Sequence, residues 1–534
     1  MPSTTTTTEP LSPAHSPVPH APSWALGTLL VLPWLTAYTA GPLANAWPWL
    51  VSAFCAALVW LFWRRLDARL IATAWVLAAA VSAVIGLVQY FGLAQVFSPW
   101  ISQTGAGEAF ANLRQRNQFA TLTSIGLLAL VALLARRAPG LRVPGWMYAA
   151  MALLALGNAA SSSRTGLLQW LLIVALTAGW ALRGQRRTAL FALQALLAYG
   201  LAVFALPWLL NAATGLSSAG LLGRLAETPG CGSRRVLWSN VLTLIAQKPW
   251  LGWGWGELDY AHFITLYPGP RFCEILDNAH NLPLQLAVEL GIPAALALCA
   301  GAGWWVWRGK PWREADPARQ LAWGVLAVIL LHSLLEYPLW YSYFLLPAAF
   351  AWGMGLAARA RQRASRGADT APSPQRTSVN QALMLGGLLM ALGTAWCAYD
   401  YLAASNIYSP RKAAGPLEQR IKHGQGKLWF GYQADYADVT GVDEDEPSKP
   451  PLAFRRTLHN LLDARLMMAY ARSLAEHGEV DKARFVVERL KEFHNSAADE
   501  FLAVCDDEDA APATRPFQCL PPQRSYTWRE LLPY

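Results

Sequence analysis

Charge is what this 534-residue chain has least of: only 14% of its residues are Asp, Glu, Lys or Arg, while 54% are hydrophobic and 26 are Trp. So little charge cannot surround a water-soluble core, which excludes an ordinary soluble globule and points to an integral membrane protein. Acidic residues are scarcest where the chain is most apolar, since 21 of the 34 fall within residues 400–534. Residues 1–23 contain no Lys or Arg and no hydrophobic core. This excludes a cleavable signal peptide there, and the Thr-, Ser- and Pro-rich composition reads as a disordered tail.

Long apolar runs are what the chain does have. About eleven approach or reach the length a spanning helix needs: 24–40, 46–63, 70–92, 118–135, 143–159, 165–182, 188–209, 282–307, 318–335, 339–357 and 381–399. Every second connection is basic: Arg64, Arg65 and Arg69; Arg136, Arg137 and Arg142; Arg183, Arg186 and Arg187; Arg308, Lys310 and Arg313; Arg359, Arg361, Arg363 and Arg366. Basic loops stay in the cytoplasm. The alternation therefore predicts a cytoplasmic N-terminus, an odd number of spans and an outward C-terminus. The net charge of +9 is then a topology signal rather than a nucleic-acid footprint.

The fold expected is all-α: a polytopic membrane bundle of about eleven spans over 24–400, with a large outer loop at 210–281 and a soluble helical domain at 401–534. In that last region Leu461–Leu474 and Val480–Phe493 read as an antiparallel helix pair resembling one tetratricopeptide unit. The acidic runs Asp443–Glu446 and Asp506–Asp509 read as solvated loops. Cys55, Cys299 and Cys397 fall in spans as small hydrophobes. Cys231 with Cys273, and Cys505 with Cys519, are two possible disulfide pairs in outward segments.

Polar groups that are hard to explain as scaffold collect on the outer face. Arg114 and Arg116 stand in an outer loop, against the positive-inside bias, so an anion or the lipid headgroups should meet them. Ser161-Ser162-Ser163 can cap a helix whose first turn holds Arg164, where a cation opposes the helix dipole; its partner is either an anionic ligand or a nearby carboxylate. Arg234 and Arg235 open an amphipathic stretch ending at Gln247. The Gly- and Trp-rich stretch Pro249–Gly256 offers tight turns and bulky stacking surfaces suited to a sugar or to headgroups. His280, between a polar loop and the run 282–307, is either a structural histidine at a helix start or a proton acceptor for an attacking hydroxyl. Glu289, about 12 Å further along that helix, is expected to partner an arginine or a hydroxyl within the bundle. Glu336 and Tyr337 complete the one-sided cluster.

Several arginines and one imidazole at an outer membrane face suit a lipid-linked phosphate or pyrophosphate. Guanidinium groups bind phosphate oxygens bidentately and stabilise charge on a departing pyrophosphate, and no outer-face group of Asp, His or Cys has metal-ligand spacing, so no metal or other cofactor is expected.

The set Asn112-Leu113-Arg114-Gln115-Arg116-Asn117, Asp277-Asn278-Ala279-His280-Asn281 and Glu336-Tyr337-Pro338-Leu339-Trp340-Tyr341 resembles the O-linked protein oligosaccharyltransferases of the PglL type, within the O-antigen ligase and polymerase superfamily. The resemblance implies a bacterial inner-membrane enzyme that transfers a glycan from undecaprenyl pyrophosphate to Ser or Thr of periplasmic or pilin proteins. It implies an essential role for His280 and roles for a glutamine and a tyrosine, to which Gln115 and Tyr337 are nearest. Family members often carry His where this chain has Gln118. The combined expectation is that Arg164, Arg234 and Arg116 clamp the pyrophosphate, with Arg235 and Glu289 also in the substrate site, while His280 aligns the acceptor hydroxyl.

Two alternatives stand beside it: a ligase or polymerase using a sugar hydroxyl as acceptor, and a transporter of lipid-linked sugar. The transporter would call for inverted repeats, broken helices or polar groups at mid-membrane, and the sequence shows no clear repeat.

Overall fold

The computed structural model describes residues 23–62, 66–138, 140–218, 220–226, 230–364, 374–442, 446–493, 495–505 and 515–533. The tail before residue 23, Arg64, Arg65, Arg366, and the acidic residues 443–445 and 506–509 lie outside the described residues. Among the described residues every regular element is a helix. In order these are α1 (Ser23–Leu35), α2 (Ala46–Leu61), α3 (Ala68–Tyr90), α4 (Arg116–Ala135), α5 (Gly145–Ala160), α6 (Arg164–Ala181), α7 (Arg186–Thr214), α8 (Gly220–Ala226), α9 (Arg234–Gln247), α10 (Leu258–Ile264), α11 (Leu282–Leu290), α12 (Ile292–Gly309), α13 (Pro317–Ser333), α14 (Ser342–Ala364) and α15 (Pro374–Tyr408). The C-terminal part adds α16 (Leu417–Gln425), α17 (Gly431–Thr440), α18 (Arg455–Leu458), α19 (Ala464–Glu476), α20 (Val480–Lys491), α21 (Asp499–Ala503) and α22 (Trp528–Leu531).

Helix α4 is the hub, buried nearly all round and packed against α3, α5, α6 and α13. Small residues allow this. A Cβ on Gly126 would stand 2.5 Å from Ala79 Cβ, one on Gly86 2.5 Å from Phe119 Cζ, and one on Gly166 2.8 Å from Ala120 Cβ. Close backbone approach of this kind drives helix association where water supplies no hydrophobic force. The polar residues of α4 face other helices and are satisfied there: Gln169 Nε2 donates to Thr121 Oγ1 at 2.8 Å and Asn158 Nδ2 to Thr123 Oγ1 at 2.9 Å.

The periphery is the reverse. Leu197, Leu201, Phe204 and Trp208 on α7, Leu296, Trp304 and Trp307 on α12, and Leu388, Leu389 and Trp396 on α15 are all exposed. Continuous outward faces of Leu, Phe and Trp belong in a bilayer. By length and composition α3, α4 and α7 are long and apolar enough to cross one.

The apolar run 282–307 is not one helix. It breaks at Gly291, whose φ is +85°, and the turn Pro249–Gly256 plugs the break. Trp253 N donates to Val288 O, Gly254 N to Glu289 O and Ile292 N to Pro249 O, at 2.8, 3.1 and 2.8 Å. This corrects the expectation for Glu289. It ends the short α11, and its Oε1 accepts from the backbone N–H of Gly256 at 2.9 Å rather than from an arginine or hydroxyl across the bundle.

The segment between α7 and α11 and the C-terminal part are built together. Helix α10 serves two cores at once: Leu258 and Ala261 pack with Leu237, Val241 and Leu244 of α9, while Tyr260, Phe263 and Ile264 pack with α19, α20 and α22. Arg271 Nε meets Glu492 Oε2 at 2.6 Å, His459 Nδ1 lies 2.8 Å from Glu257 Oε1, and Tyr260 Oη donates to Trp528 O at 2.6 Å. The disulfides Cys231–Cys273 and Cys505–Cys519 are both formed.

The helix break has no room for a side chain: a Cβ on Gly291 would lie 2.1 Å from Trp250 O. With the positive φ, Gly291→Ala is expected to cost roughly 1–3 kcal/mol and to lower the melting temperature of the purified protein. Gly303→Ala in α12, where a Cβ meets nothing within 4 Å, should leave it unchanged or raise it slightly.

Candidate active site

The site is assembled at the end of the bundle where α4 and α6 begin and α13 stops. Ser163 caps α6 by accepting from Gly166 N at 3.0 Å, and its hydroxyl donates to Asn117 Oδ1 at 2.6 Å. The amide of Asn117 in turn donates to Glu336 Oε1 at 3.3 Å, just past the end of α13. Three helix ends are thereby joined through short polar side chains, which supply partners for groups that helix termini leave unsatisfied.

Glu336 is the centre. Its Oε1 also receives Arg234 Nη2, from the first residue of α9, at 2.5 Å, and its Oε2 lies 2.6 Å from His280 Nδ1. The carboxylate is buried. Burial pushes its pKa up, but the hydrogen bond and field of His280, followed by Arg234, outweigh burial and hold it below the ordinary carboxylate value. A carboxylate can only accept, so Nδ1 of His280 carries a proton, and in the neutral tautomer Nε2 is the nitrogen that keeps a lone pair.

The His280 loop has little freedom. Its φ is +51°, in the left-handed region that a side-chain-bearing residue seldom adopts, and the neighbouring contacts account for it. His280 N donates to Asn278 Oδ1, Ala279 N to Gln285 Oε1, and Trp238 Nε1 to Ala279 O, at 2.8, 2.6 and 3.1 Å. Asn281 caps α11 through Leu284 N at 3.1 Å and reaches Leu334 O at 3.0 Å. Tyr337 lies edge-on to the imidazole, 4.9 Å between ring centroids. The Cys231–Cys273 bond ties the start of α9, where Arg234 sits, to the strand of chain that leads to His280.

The other sequence candidates fall in different places. Arg164 follows Ser163 at the first position of α6 and is exposed, as is Arg235 beside Arg234. Arg116 forms an ion pair with Glu108. Gln115 caps α4 through Gln118 N at 2.9 Å. Arg114 is bound to the carbonyls of Ala37 and Ala44, away from any ligand-facing role. Gln118 is buried and accepts from Tyr343 Oη. Glu289 lies at the helix break. Sequence reasoning put Glu336 in the cluster without a role, read Ser163 only as a helix cap and Asn117 only as part of a motif, and passed over Trp238. A carboxylate among unexplained arginines was the available signal for the first; nothing local marks Trp238. Among the described residues no group of three or more His, Cys, Asp and Glu side chains could hold a metal ion.

Three family descriptions match parts of the chain: "Protein glycosylation ligase" at residues 109–134, "O-Antigen ligase" at 149–299 and "Virulence factor membrane-bound polymerase, C-terminal" at 320–504. Each match contributes to the cluster: Asn117 from the first, Ser163, Arg234 and His280 from the second, Glu336 and Tyr337 from the third. The chain is a glycosyltransferase-type enzyme, similar to the O-antigen ligase class, whose members are membrane-embedded. More narrowly, it resembles the PglL type of O-linked protein oligosaccharyltransferase. It is 25% identical over 432 residues to a general O-oligosaccharyltransferase of Acinetobacter baylyi, covering 78% of this chain and 71% of that one. It is 27% identical over 290 residues to a ComP-specific O-oligosaccharyltransferase of the same organism, covering 53% of this chain and 50% of the relative.

A carboxyl held below its unfolded value stabilises the fold above that value and loses the contribution as pH falls through the lowered one. Wild type and Glu336→Gln are therefore expected to differ in melting temperature at neutral pH. The gap should close as pH drops below the ordinary carboxylate value of about 4.3; a gap independent of pH would show that the charge of Glu336 contributes nothing to the fold.

Proposed function

We propose that this chain transfers an oligosaccharide from undecaprenyl pyrophosphate to Ser or Thr hydroxyls of periplasmic or pilin proteins, with the imidazole of His280 as proton acceptor and guanidinium groups, rather than a metal, carrying the pyrophosphate charge. The observation that carries this reading is the His280 Nδ1 to Glu336 Oε2 contact of 2.6 Å, because it holds the ring at a fixed position and makes Nε2 the accepting nitrogen of the neutral imidazole. An acceptor hydroxyl oxygen attacks the anomeric carbon, and its proton passes to Nε2. The bond from that carbon to the phosphate oxygen breaks, with inversion, and its electron pair leaves on the lipid pyrophosphate. Glu336 keeps its negative charge and stabilises the imidazolium that forms, as the carboxylate of a hydrolase triad does.

Arg234 uses only Nη2 on Glu336. A guanidinium has five N–H donors, so Arg234 can stay on the carboxylate and still face a phosphate, with Arg164 and Arg235 beside it. Arg116 reaches the same anion once its pair with Glu108 opens. Tyr337, edge-on to the imidazole, shapes the site, while Gln115 and Glu289 support it only from outside, by capping α4 and by seating the Pro249–Gly256 turn.

The membrane arrangement belongs to the same proposal: about eleven crossings over 24–400, a cytoplasmic N-terminus, and the 210–281 loop with the 401–534 domain on the far side of the inner membrane. The packing of α10 against α19 and α20 supports a C-terminal domain on the same side as His280, where a polypeptide acceptor could meet it. A sugar-hydroxyl acceptor is the second reading, favoured by the longer matches to the ligase and polymerase descriptions; both curated relatives favour protein.

His280→Ala is expected to abolish transfer while the protein is still inserted in the membrane at wild-type abundance, and Glu336→Gln to lower transfer by about 10²-fold or more. The readout is mass spectrometry of exported proteins with and without the gene: a Ser- or Thr-linked glycopeptide should vanish in the deletion and in His280→Ala. Glycopeptides that persist in His280→Ala would take the imidazole out of the chemistry; glycan lost from lipid A core with proteins unaffected would favour the second reading.

A further inference from the structure

The turn Pro249–Gly256 holds one side chain outward. Its hydrogen bonds to Val288, Glu289 and Ile292 fix both its start and its end, and a Cβ on Gly252 would lie 2.4 Å from Glu289 O, so the backbone is seated without slack. Gly254 and Gly256, at φ of +117° and +80°, flank Trp255 on either side and allow the reversals that aim it away from the turn. Trp255 stays 65% exposed. Its ring nevertheless lies parallel to that of Trp340, 7° between planes and 6.0 Å between centroids.

Trp340 belongs to the site. Its N–H donates to Tyr337 O at 3.2 Å, closing the single turn that begins at Tyr337, whose ring abuts His280. The Trp255 ring is thereby tied, through Trp340 and one turn of backbone, to the segment whose Tyr337 abuts the imidazole. A lipid-facing indole needs no such mounting. The exposed Trp250 and Leu251 at the tip of the same turn are the pair suited to lipid, whereas Trp255 is followed by Glu257 and backed by the segment that carries Glu336.

We propose, resting on the glycan-transfer reading above, that Trp255 backed by Trp340 is a sugar-stacking subsite: the C–H face of a pyranose in the donor glycan, distal to the bond that breaks, lies on the Trp255 indole. Such contact binds ground state and transition state alike, so it governs donor KM and leaves kcat unaltered. It also makes the enzyme favour donors long enough to reach the indole.

The test uses the full chain in lipid nanodiscs with two donors on the same polyprenyl pyrophosphate, one bearing a single hexose and one a trisaccharide. Trp255→Ala is expected to raise KM for the trisaccharide donor roughly three- to tenfold with kcat retained, and to leave the single-hexose donor unchanged. Trp255→Phe should restore most of the loss. An equal shift for both donors, as a lipid-anchoring or folding role would give, or no shift for either, overturns the subsite. If wild type transfers neither donor to protein, the transfer reading fails by itself. The subsite is then read from quenching of tryptophan fluorescence by free trisaccharide, expected to saturate in wild type and to be lost in Trp255→Ala; quenching that never saturates, or that persists in the variant, overturns it.

Discussion

A buried carboxylate has to be answered by charge and hydrogen bonds, because desolvating it alone costs several kcal/mol, and Glu336 is answered from three separate parts of the chain. Arg234 comes from the start of α9, His280 from the loop before α11, and Asn117 from the first turn of α4, itself held by Ser163 at the head of α6. The carboxylate thus does two things with one charge. It fixes the relative position of the helix ends, and it fixes which nitrogen of His280 holds a proton.

A second constraint keeps that geometry from relaxing. The polypeptide between α7 and α11 could wander as a long connection, yet it is pinned by the Cys231–Cys273 bond, by the indole of Trp238 on Ala279 O, and by α10, whose two faces belong to different cores. The same connection plugs the break between α11 and α12 with its own backbone N–H groups and carbonyls. Irregular backbone next to a membrane is tolerated only where protein satisfies it, and here the Pro249–Gly256 turn does so.

Much of the helical plan was legible. Each apolar run meets a helix because a stretch without polar side chains can satisfy its backbone in lipid only by internal hydrogen bonds. The cap at Ser163 and the first-turn positions of Arg164 and Arg234 were legible too, since capping depends on residues adjacent in sequence. The run 282–307 misled: Gly291 looks like any glycine of an apolar helix, and the break is decided by Trp250 and Leu251, some forty residues upstream, lying against it. Glu289 was misplaced for the same reason. Arg116 and Gln115 read as ligand-facing, yet one is paired with Glu108 and the other caps its own helix, partners that residue type does not announce.

Residue chemistry and short-range order determined that the chain is helical with long apolar runs, that several arginines and a histidine stand out between those runs, and which of the arginines open helices. Those properties arise from side-chain solvation and from contacts within a turn or two. Tertiary structure alone decided that His280 and Glu336, 56 residues apart, share a hydrogen bond, that Arg234 stands beside them, and that Trp255 stacks on Trp340. A hydrogen bond or ring stack has a reach of a few ångströms, and only the packed bundle brings groups so distant in sequence within it.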